Sequence, residues 1–262
     1  IDTKIRSNTD IELNGRLQQL DIVLLTNGIR LMQPADEIEI LVRQNNRYDN
    51  QVFGIKPNYI KSNELHFVSN KHLIFEGGNE FRSFDISSVY AASKGIENIK
   101  FQNSQYVVDL TTDKIQKGFA YSHEFDADGQ FIINYQESNF DNDTEADYML
   151  VNFTLSKQEP FFDGMIYVGG GFNYELYNSQ SLMHYNFTKN RYEYSALLKQ
   201  GGYNYQYRKL AKGSKKATTE AIGGSFWQTS NEYSVFVYYR PLGGRFDRLI
   251  GYKQINSMDN AH

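Results

Sequence analysis

Carboxylates are the most numerous side chains in the sequence that could hold a metal ion or exchange a proton. Asp126 and Asp128 precede Gly129 in a spacing with which calcium loops begin, but the further ligands and the distal glutamate do not follow. Asp143 and Glu145 lie in a separate acidic stretch. Aspartates in short polar segments usually bond to their own backbone in Asx turns. We therefore predict turns and no metal site here, and these four acids are the first to test if an activity is found.

Thiol and imidazole chemistry is limited by composition. The chain has 262 residues, with no cysteine and five histidines. Thiolate catalysis, disulfides, iron–sulfur clusters and cysteine-held zinc are therefore excluded, and the histidines lack the spacing of ligands to one metal ion. The sequence also contains no nucleophile elbow, phosphate loop or dinucleotide fingerprint. We predict that the protein is not an enzyme and that it binds neither a metal ion nor a cofactor.

Aromatic side chains are abundant, with 20 tyrosines and 18 phenylalanines but one tryptophan. Exposed rings can stack on the apolar faces of sugars, and Tyr174, Tyr177 and Trp227 are the candidates for such a role. Tyrosines at alternate positions of a strand also cover a sheet while their hydroxyls reach solvent. Both interpretations of these rings remain open.

Positive charge is concentrated in one segment. Its members are Arg208, Lys209, Lys212, Lys215 and Lys216. The glycine and serine among them predict a flexible, solvated loop, which is also a candidate docking site for a partner. The whole chain has 27 basic and 31 acidic residues and a formal net charge of −4. It therefore lacks the positive footprint of a nucleic-acid-binding protein.

The last two apolar runs predict a hairpin that contains a charged pair. If residues 241–244 form a four-residue loop, Arg240 lies opposite Arg245 and Tyr238 lies opposite Asp247. Two opposed arginines repel each other, and Asp247 lies on their diagonal on the same face. We predict a charge-assisted hydrogen bond between Arg240 and Asp247, with contact to an anion or a partner as the alternative.

The elements that must position these residues are strands. Apolar and polar residues alternate in about fourteen short runs, which turn signals such as Asn27-Gly28 and Gly201-Gly202 separate. Strands at such intervals without helical segments predict antiparallel sandwiches. The polar stretch 138–145 predicts a boundary, so we expect two immunoglobulin-like β-sandwich domains, residues 1–142 and 143–262. A single continuous stack of sheets is the alternative.

The apolar runs are too short to span a membrane. The chain begins at Ile1 and has no basic and then apolar leader. We expect a processed chain or an excised fragment.

Five stretches of the sequence resemble, in the same order, the plug-protein family of the type IX secretion system of Bacteroidetes. They are residues 42–47 (VRQNNR), 78–85 (GNEFRSFD), 146–148 (ADY), 198–205 (LKQGGYNY) and 237–251 (VYYRPLGGRFDRLIG). The last stretch is quite specific to the family. Members carry a further N-terminal domain, so the resemblance covers their central and C-terminal portion.

This resemblance implies an exported periplasmic protein, associated with the outer membrane, that closes the periplasmic mouth of a large β-barrel translocon when no substrate passes. The family has no catalytic motif, and we interpret the matched stretches as fold signatures and not as an interface. The implied partner is the translocon barrel. We expect loops such as the basic one to contact it, and we expect the protein to be a monomer on its own.

A second likeness concerns the C-terminal half. Residues 168–173 (VGGGFN) and 201–207 (GGYNYQY) are similar to glycogen-binding immunoglobulin-like modules. This likeness implies an early-set β-sandwich for the second domain. The alternative function is therefore that of a carbohydrate-binding module in a surface or periplasmic glycan system.

Overall fold

Strands account for most of the regular structure, as the period-two alternation predicts. The computed structural model describes residues 1–10, 12–26, 28–29, 31–90, 93–124, 126–136 and 145–260. Of the described residues, 47% lie in strands and 5% in helices, and the strands form several antiparallel sheets. The predicted all-β sandwich fold is confirmed.

The elements follow one another as short strands with few helical turns. In chain order they are β1 (Asp2–Ser7), β2 (Leu17–Leu25), α1 (Pro34–Glu37), β3 (Ile38–Gln44), β4 (Val52–Ile55), β5 (Tyr59–Lys61), β6 (Glu64–Phe67), a 3₁₀ turn (Lys71–Leu73), β7 (Ile74–Glu76), β8 (Arg82–Asp85), β9 (Ile96–Gln102), β10 (Gln105–Leu110), β11 (Asp113–Lys114), β12 (Phe131–Ile133), β13 (Tyr148–Ser156), β14 (Gly164–Gly169), a 3₁₀ turn (Gly171–Asn173), β15 (His184–Asn186), β16 (Arg191–Lys199), β17 (Gly201–Ala211), β18 (Glu232–Tyr239), β19 (Arg248–Asn256) and a 3₁₀ turn (Ser257–Asn260). Within the described ranges, no helix has the length and hydropathy that crossing a bilayer requires.

Unit 1, the first of two compact units, consists of residues 1–79 and 225–262. One of its sheets has the order β1–β2–β6–β5, with β7 also beside β2, and the other has the order β19–β18–β3–β4. Ile40 and Val42 on β3 and Val235 on β18 are fully buried, whereas Leu41 and Arg43 on β3 are half-buried. This alternation places one face of each sheet on a shared apolar core.

Unit 2 consists of residues 80–224. One of its sheets has the order β15–β16–β13–β10–β9, with β11 also beside β13, and the other has the order β12–β17–β14, with β8 also beside β17. β13 runs parallel to β10 and β11 and antiparallel to β16. The core of this unit is aromatic. The rings of Phe84, Phe153 and Tyr205 meet edge to face, with centroids 5.2–5.6 Å apart.

The predicted division between residues 142 and 143 does not coincide with these units. β3 pairs with β18 along residues 233–239, so the C-terminal hairpin completes a sheet of unit 1. Unit 2 is therefore inserted between residues 79 and 225. Of the polar stretch that suggested the boundary, residues 138–144 lie outside the described residues, and Asp143 is one of them. A local change of composition does not report pairing between strands that are far apart in sequence, and this is why the boundaries differ.

The last hairpin contains the predicted charged pair but has a different register. Tyr238 pairs with Leu249 and not with Asp247, because the connecting loop is longer than four residues. Arg240 and Asp247 lie in that loop and form two hydrogen bonds of 2.7 Å each. Ile250 is an extra residue that forms a bulge in β19.

Candidate functional site

The five basic residues predicted to dock a partner do not share one environment. Arg208 lies in β17 and is 3% exposed, with its Nε 3.6 Å from a carboxylate oxygen of Glu175. It is therefore not part of an exposed loop, contrary to the prediction. The Nζ of Lys209 lies 2.6 Å from Asp163 Oδ2, and this hydrogen bond holds the pKa of the Asp163 carboxyl below its ordinary value.

The remaining three lysines lie in the loop that follows β17. Lys212 and Lys215 are exposed and Lys216 is half-buried. The backbone N–H of Lys212 donates to the carbonyl oxygen of Asp163 (3.0 Å), which fixes the start of the loop. The predicted docking segment thus retains two exposed lysines, Lys212 and Lys215, and the half-buried Lys216.

The structure does not bring the three candidate sugar-stacking rings together in one unit. Tyr174 belongs to unit 2 and is 75% exposed. Tyr177, also in unit 2, is half-buried, and its hydroxyl donates to Glu175 Oε2 (2.6 Å). Trp227 belongs to unit 1 and is 38% exposed. Tyr174 is therefore the most available of the three rings.

A group of aromatic residues that the sequence did not single out covers the outer side of the β19–β18–β3–β4 sheet. We call it the aromatic face, and it consists of Leu41, Arg43, Phe53, Phe236, Tyr238 and Tyr252. Phe236 pairs with Tyr252 across β18 and β19, with ring centroids 5.0 Å apart. Tyr238 meets Phe53 edge to face at 6.2 Å. Tyrosine, phenylalanine and arginine are the residues that protein interfaces favour at their centres.

Arg43 lies in the middle of the aromatic face. Its guanidinium lies 4.2 Å from the ring centroid of Tyr48 and 5.6 Å from that of Phe236, and its Nε donates to Gln51 Oε1 (3.1 Å). Cation–π contacts of this kind fix the arginine in place. Strand alternation could have placed Phe236 and Tyr238 on one face, but the contribution of β3 and β4 depends on a pairing that the sequence does not reveal.

In unit 2, a partly buried hydrogen-bond cluster is centred on Asp113. Its carboxylate accepts hydrogen bonds from Arg82 Nε (3.0 Å), the Tyr205 hydroxyl (2.7 Å) and the Tyr207 hydroxyl (2.8 Å). Burial, with the nearby negative charge of Asp113, raises the pKa of both tyrosines well above the ordinary value. The cluster therefore links β8, β11 and β17 through tyrosine hydroxyls that keep their protons at neutral pH.

A second cluster of titratable groups ties residues 121–128 to the start of β8. Glu80 is buried and accepts a hydrogen bond from the Tyr121 hydroxyl, and one of its carboxylate oxygens lies 3.2 Å from His123 Nδ1. Asp126 accepts from the backbone N–H groups of Phe81 and, at 2.8 Å, Asp128, the latter in an Asx turn. Burial raises the pKa of Asp126 to about 6. In the part of the chain that the structure describes, no three acidic or histidine side chains are arranged to hold a metal ion.

Comparison with protein-family models and with curated proteins gives no match. Among solved structures, the chain is similar to the crystal structure of a hypothetical protein from Parabacteroides merdae ATCC 43184, with 40% sequence identity and a TM-score of 0.93. The alignment covers 97% of this chain and 64% of that chain. The likeness therefore extends over both units, while this chain spans less than two thirds of the length of its relative.

Proposed function

We propose that this chain is a non-catalytic protein-binding module of a periplasmic protein that closes the mouth of the type IX secretion translocon in the outer membrane. The observation that carries the proposal is that the stretches resembling the plug family occur in the family's order in both units. The resemblance thus concerns the whole chain and not one widespread module. The partner in this proposal is the translocon barrel.

The position of the first matched stretch supports its interpretation as a fold signature. In residues 42–47, Gln44 donates to the carbonyl oxygen of Glu76 (2.7 Å) and Asn45 donates to Asn231 Oδ1 (2.8 Å). Both side chains are buried, so their first role is to hold unit 1 together. In this proposal, contact with the translocon is made by the exposed loop that follows β17 and not by residues 42–47.

The loop that contains Lys212, Lys215 and Lys216 suits a contact that must form and break repeatedly. Exposed lysines steer association electrostatically and contribute little to the lifetime of a complex. A plug has to leave when cargo arrives, so a polar contact of modest area fits its task better than a permanent apolar one.

Affinity purification of the full-length protein from the native outer-membrane fraction, with mass spectrometry to identify the proteins bound to it, tests the proposal. We expect a large β-barrel protein to co-purify. The triple substitution Lys212→Glu, Lys215→Glu and Lys216→Glu should slow association about tenfold and flatten its salt dependence without lowering Tm. The matched control is the same reversal at the exposed Lys4, Lys61 and Lys71 of unit 1. Consistent failure to recover a β-barrel protein with the unaltered protein would contradict the proposal.

The carbohydrate-binding alternative is favoured by one feature, the 75% exposure of Tyr174. Titration of the protein with a soluble glucan tests it directly. We expect no binding in the low micromolar range, because Tyr177 is held by Glu175 and Trp227 lies in the other unit. A low micromolar Kd that Tyr174→Ala or Trp227→Ala abolishes would make the carbohydrate-binding function the better one.

A further inference from the structure

Strand β19 presents the longest open sheet edge of unit 1. It has nine residues, against six in β1, four in β4 and three each in β5 and β7, the other edge strands of the unit. One side of β19 pairs with β18, and no strand among the described residues pairs with the other side. Leu249, Ile250 and Tyr252 on it are 55%, 41% and 51% exposed. An open edge offers a row of backbone N–H and C=O groups that another extended chain can satisfy.

A cavity of about 360 Å³, lined mainly by aliphatic residues that include Ile1, opens beside the first half of this edge. Leu24, Leu25 and Leu65 of the opposite sheet line it, together with Ile250 and Gly251 of β19. The bulge turns Ile250 towards this cavity, and Gly251 places no side chain in it. The edge therefore has a pocket that can receive a side chain from a strand added to it.

The charge on the edge indicates which kind of strand fits. β19 carries Arg248 and Lys253 and contains no acidic residue. The neighbouring Asp247 is engaged by Arg240 in two hydrogen bonds of 2.7 Å. A second copy of β19 would bring four positive charges together, whereas a segment with acidic residues would be attracted.

We propose that β19 and the cavity beside it form a binding site for an extended acidic peptide segment, which adds to the sheet as a further strand and places an apolar side chain in the cavity. Backbone hydrogen bonds supply affinity in this mode of recognition, and the pocket and the two basic residues supply selectivity. The proposal rests on the geometry of unit 1 alone and does not depend on the translocon assignment.

Selection from a displayed library of random nine-residue peptides tests the proposal with the complete chain. Ile250→Glu, which puts a negative charge at the mouth of the cavity, is the disabling variant. Ile60→Glu is the matched control, because Ile60 is 46% exposed on β5, another edge strand of unit 1. We expect the selected peptides to alternate apolar with acidic residues and to bind Ile250→Glu at least about tenfold more weakly, while Ile60→Glu binds them unchanged.

Two further measurements keep the test independent of how the Ile250 variant folds. Synthesis of the best peptide with alternate backbone nitrogens methylated should abolish its binding to the unaltered protein, because the added strand then loses its donors. Hydrogen exchange should show new protection of the backbone amides of β19. Failure of any peptide to be selected, equal binding by Ile250→Glu, or binding that survives methylation would overturn the proposal. So would a dimer of the chain that Ile250→Glu dissociates, since the edge would then serve a second copy.

Discussion

Arg47 and Arg240 make the same contact with an aspartate in opposite surroundings. Arg47 is 1% exposed, and its Nε and Nη2 donate to the two carboxylate oxygens of Asp49 at 3.0 and 2.7 Å. Arg240 makes the corresponding bonds to Asp247 in an exposed loop. A buried guanidinium needs its counter-charge because water cannot replace it, whereas solvent screens the exposed pair.

We therefore expect Asp49→Asn to lower the free energy of unfolding by about 3 kcal/mol. Asp247→Asn should leave Tm nearly unchanged, since water solvates Arg240 when its partner is lost. Urea unfolding of the two variants measures the difference between the two sites. Equal losses at both would show that burial does not decide the role of these pairs.

Asp126 gives unit 2 a pH dependence whose sign follows from its burial. Burial raises the pKa of this carboxyl from 3.8 to about 6, and the negative charge of Glu80 adds to the increase. The hydrogen bonds from Asp128 and Phe81 and the positive charge of His123 oppose it. Because the pKa is higher in the folded state, the stabilisation is fully present below about pH 4 and is lost as the pH rises through about 6.

Relative to the unaltered protein, Asp126→Asn should gain about 2–3 kcal/mol in free energy of unfolding as the pH rises from about 4 to about 8, because the amide does not titrate. Free energies of unfolding at both pH values provide the measurement. Glu124→Gln is the control, because the Glu124 side chain is 63% exposed in the same segment and its loss should change little. A gain of the same size in Glu124→Gln would remove Asp126 as the cause.

At the scale of the element, the meeting of β12 and β17 depends on one glycine. Gly201 has φ of +156°, and a Cβ built there would lie 2.1 Å from the carbonyl oxygen of Ile132. A Cβ on the neighbouring Gly202 would meet Ile132 Cγ2 at 3.6 Å, an ordinary contact. The sequence marks both glycines as a turn, but only the first is required by the close approach of another strand.

Gly201→Ala should therefore force β12 away from β17 and lower the free energy of unfolding by about 3 kcal/mol. Gly202→Ala should cost less than about 1 kcal/mol. Denaturant unfolding of both variants compares them, and amide exchange at residues 131–133 should rise in the first variant alone. Similar behaviour of the two variants would mean that the two strands adjust to the added methyl group.

Local patterns predicted the nature of the elements better than their ends and partners. Alternation and turn residues identify strands because both are properties of neighbouring residues. The basic segment shows the limit of such local patterns. Arg208 lies in β17 and contacts Glu175, an acid 33 positions earlier in the sequence, and no local pattern predicts this contact. The Arg240–Asp247 pair was predicted correctly although the register was not, because a long flexible arginine reaches its partner in either register.

At the scale of the whole molecule, unit 1 is closed by strands from the two ends of the chain. Gly78 N–H donates to Ser225 Oγ (3.2 Å), and Phe226 N–H donates to the carbonyl oxygen of Gly78 (2.7 Å), so the two parts of unit 1 meet where unit 2 is inserted. Pairing of this kind leaves no local signature in the sequence. Local composition could therefore not show that the division at residue 142 was wrong.

The inserted arrangement predicts which fragments of the chain fold. Residues 80–224 contain both sheets and the whole aromatic core of unit 2, so this fragment should unfold cooperatively and give dispersed amide resonances. Residues 143–262, the predicted second domain, lack β8 to β12 and carry β18 and β19 without β3, so they should not fold. Unit 1 should fold when residue 79 is joined to residue 225 through a short glycine–serine linker, because the hydrogen bonds at Gly78 already hold those ends together.

Thermal unfolding followed by circular dichroism distinguishes the three fragments. Cooperative unfolding of residues 143–262, with none in residues 80–224, would contradict the inserted arrangement. The same fragments also separate the two proposed sites. The joined unit 1 should retain peptide binding at β19, and residues 80–224 should retain translocon binding through the lysine loop.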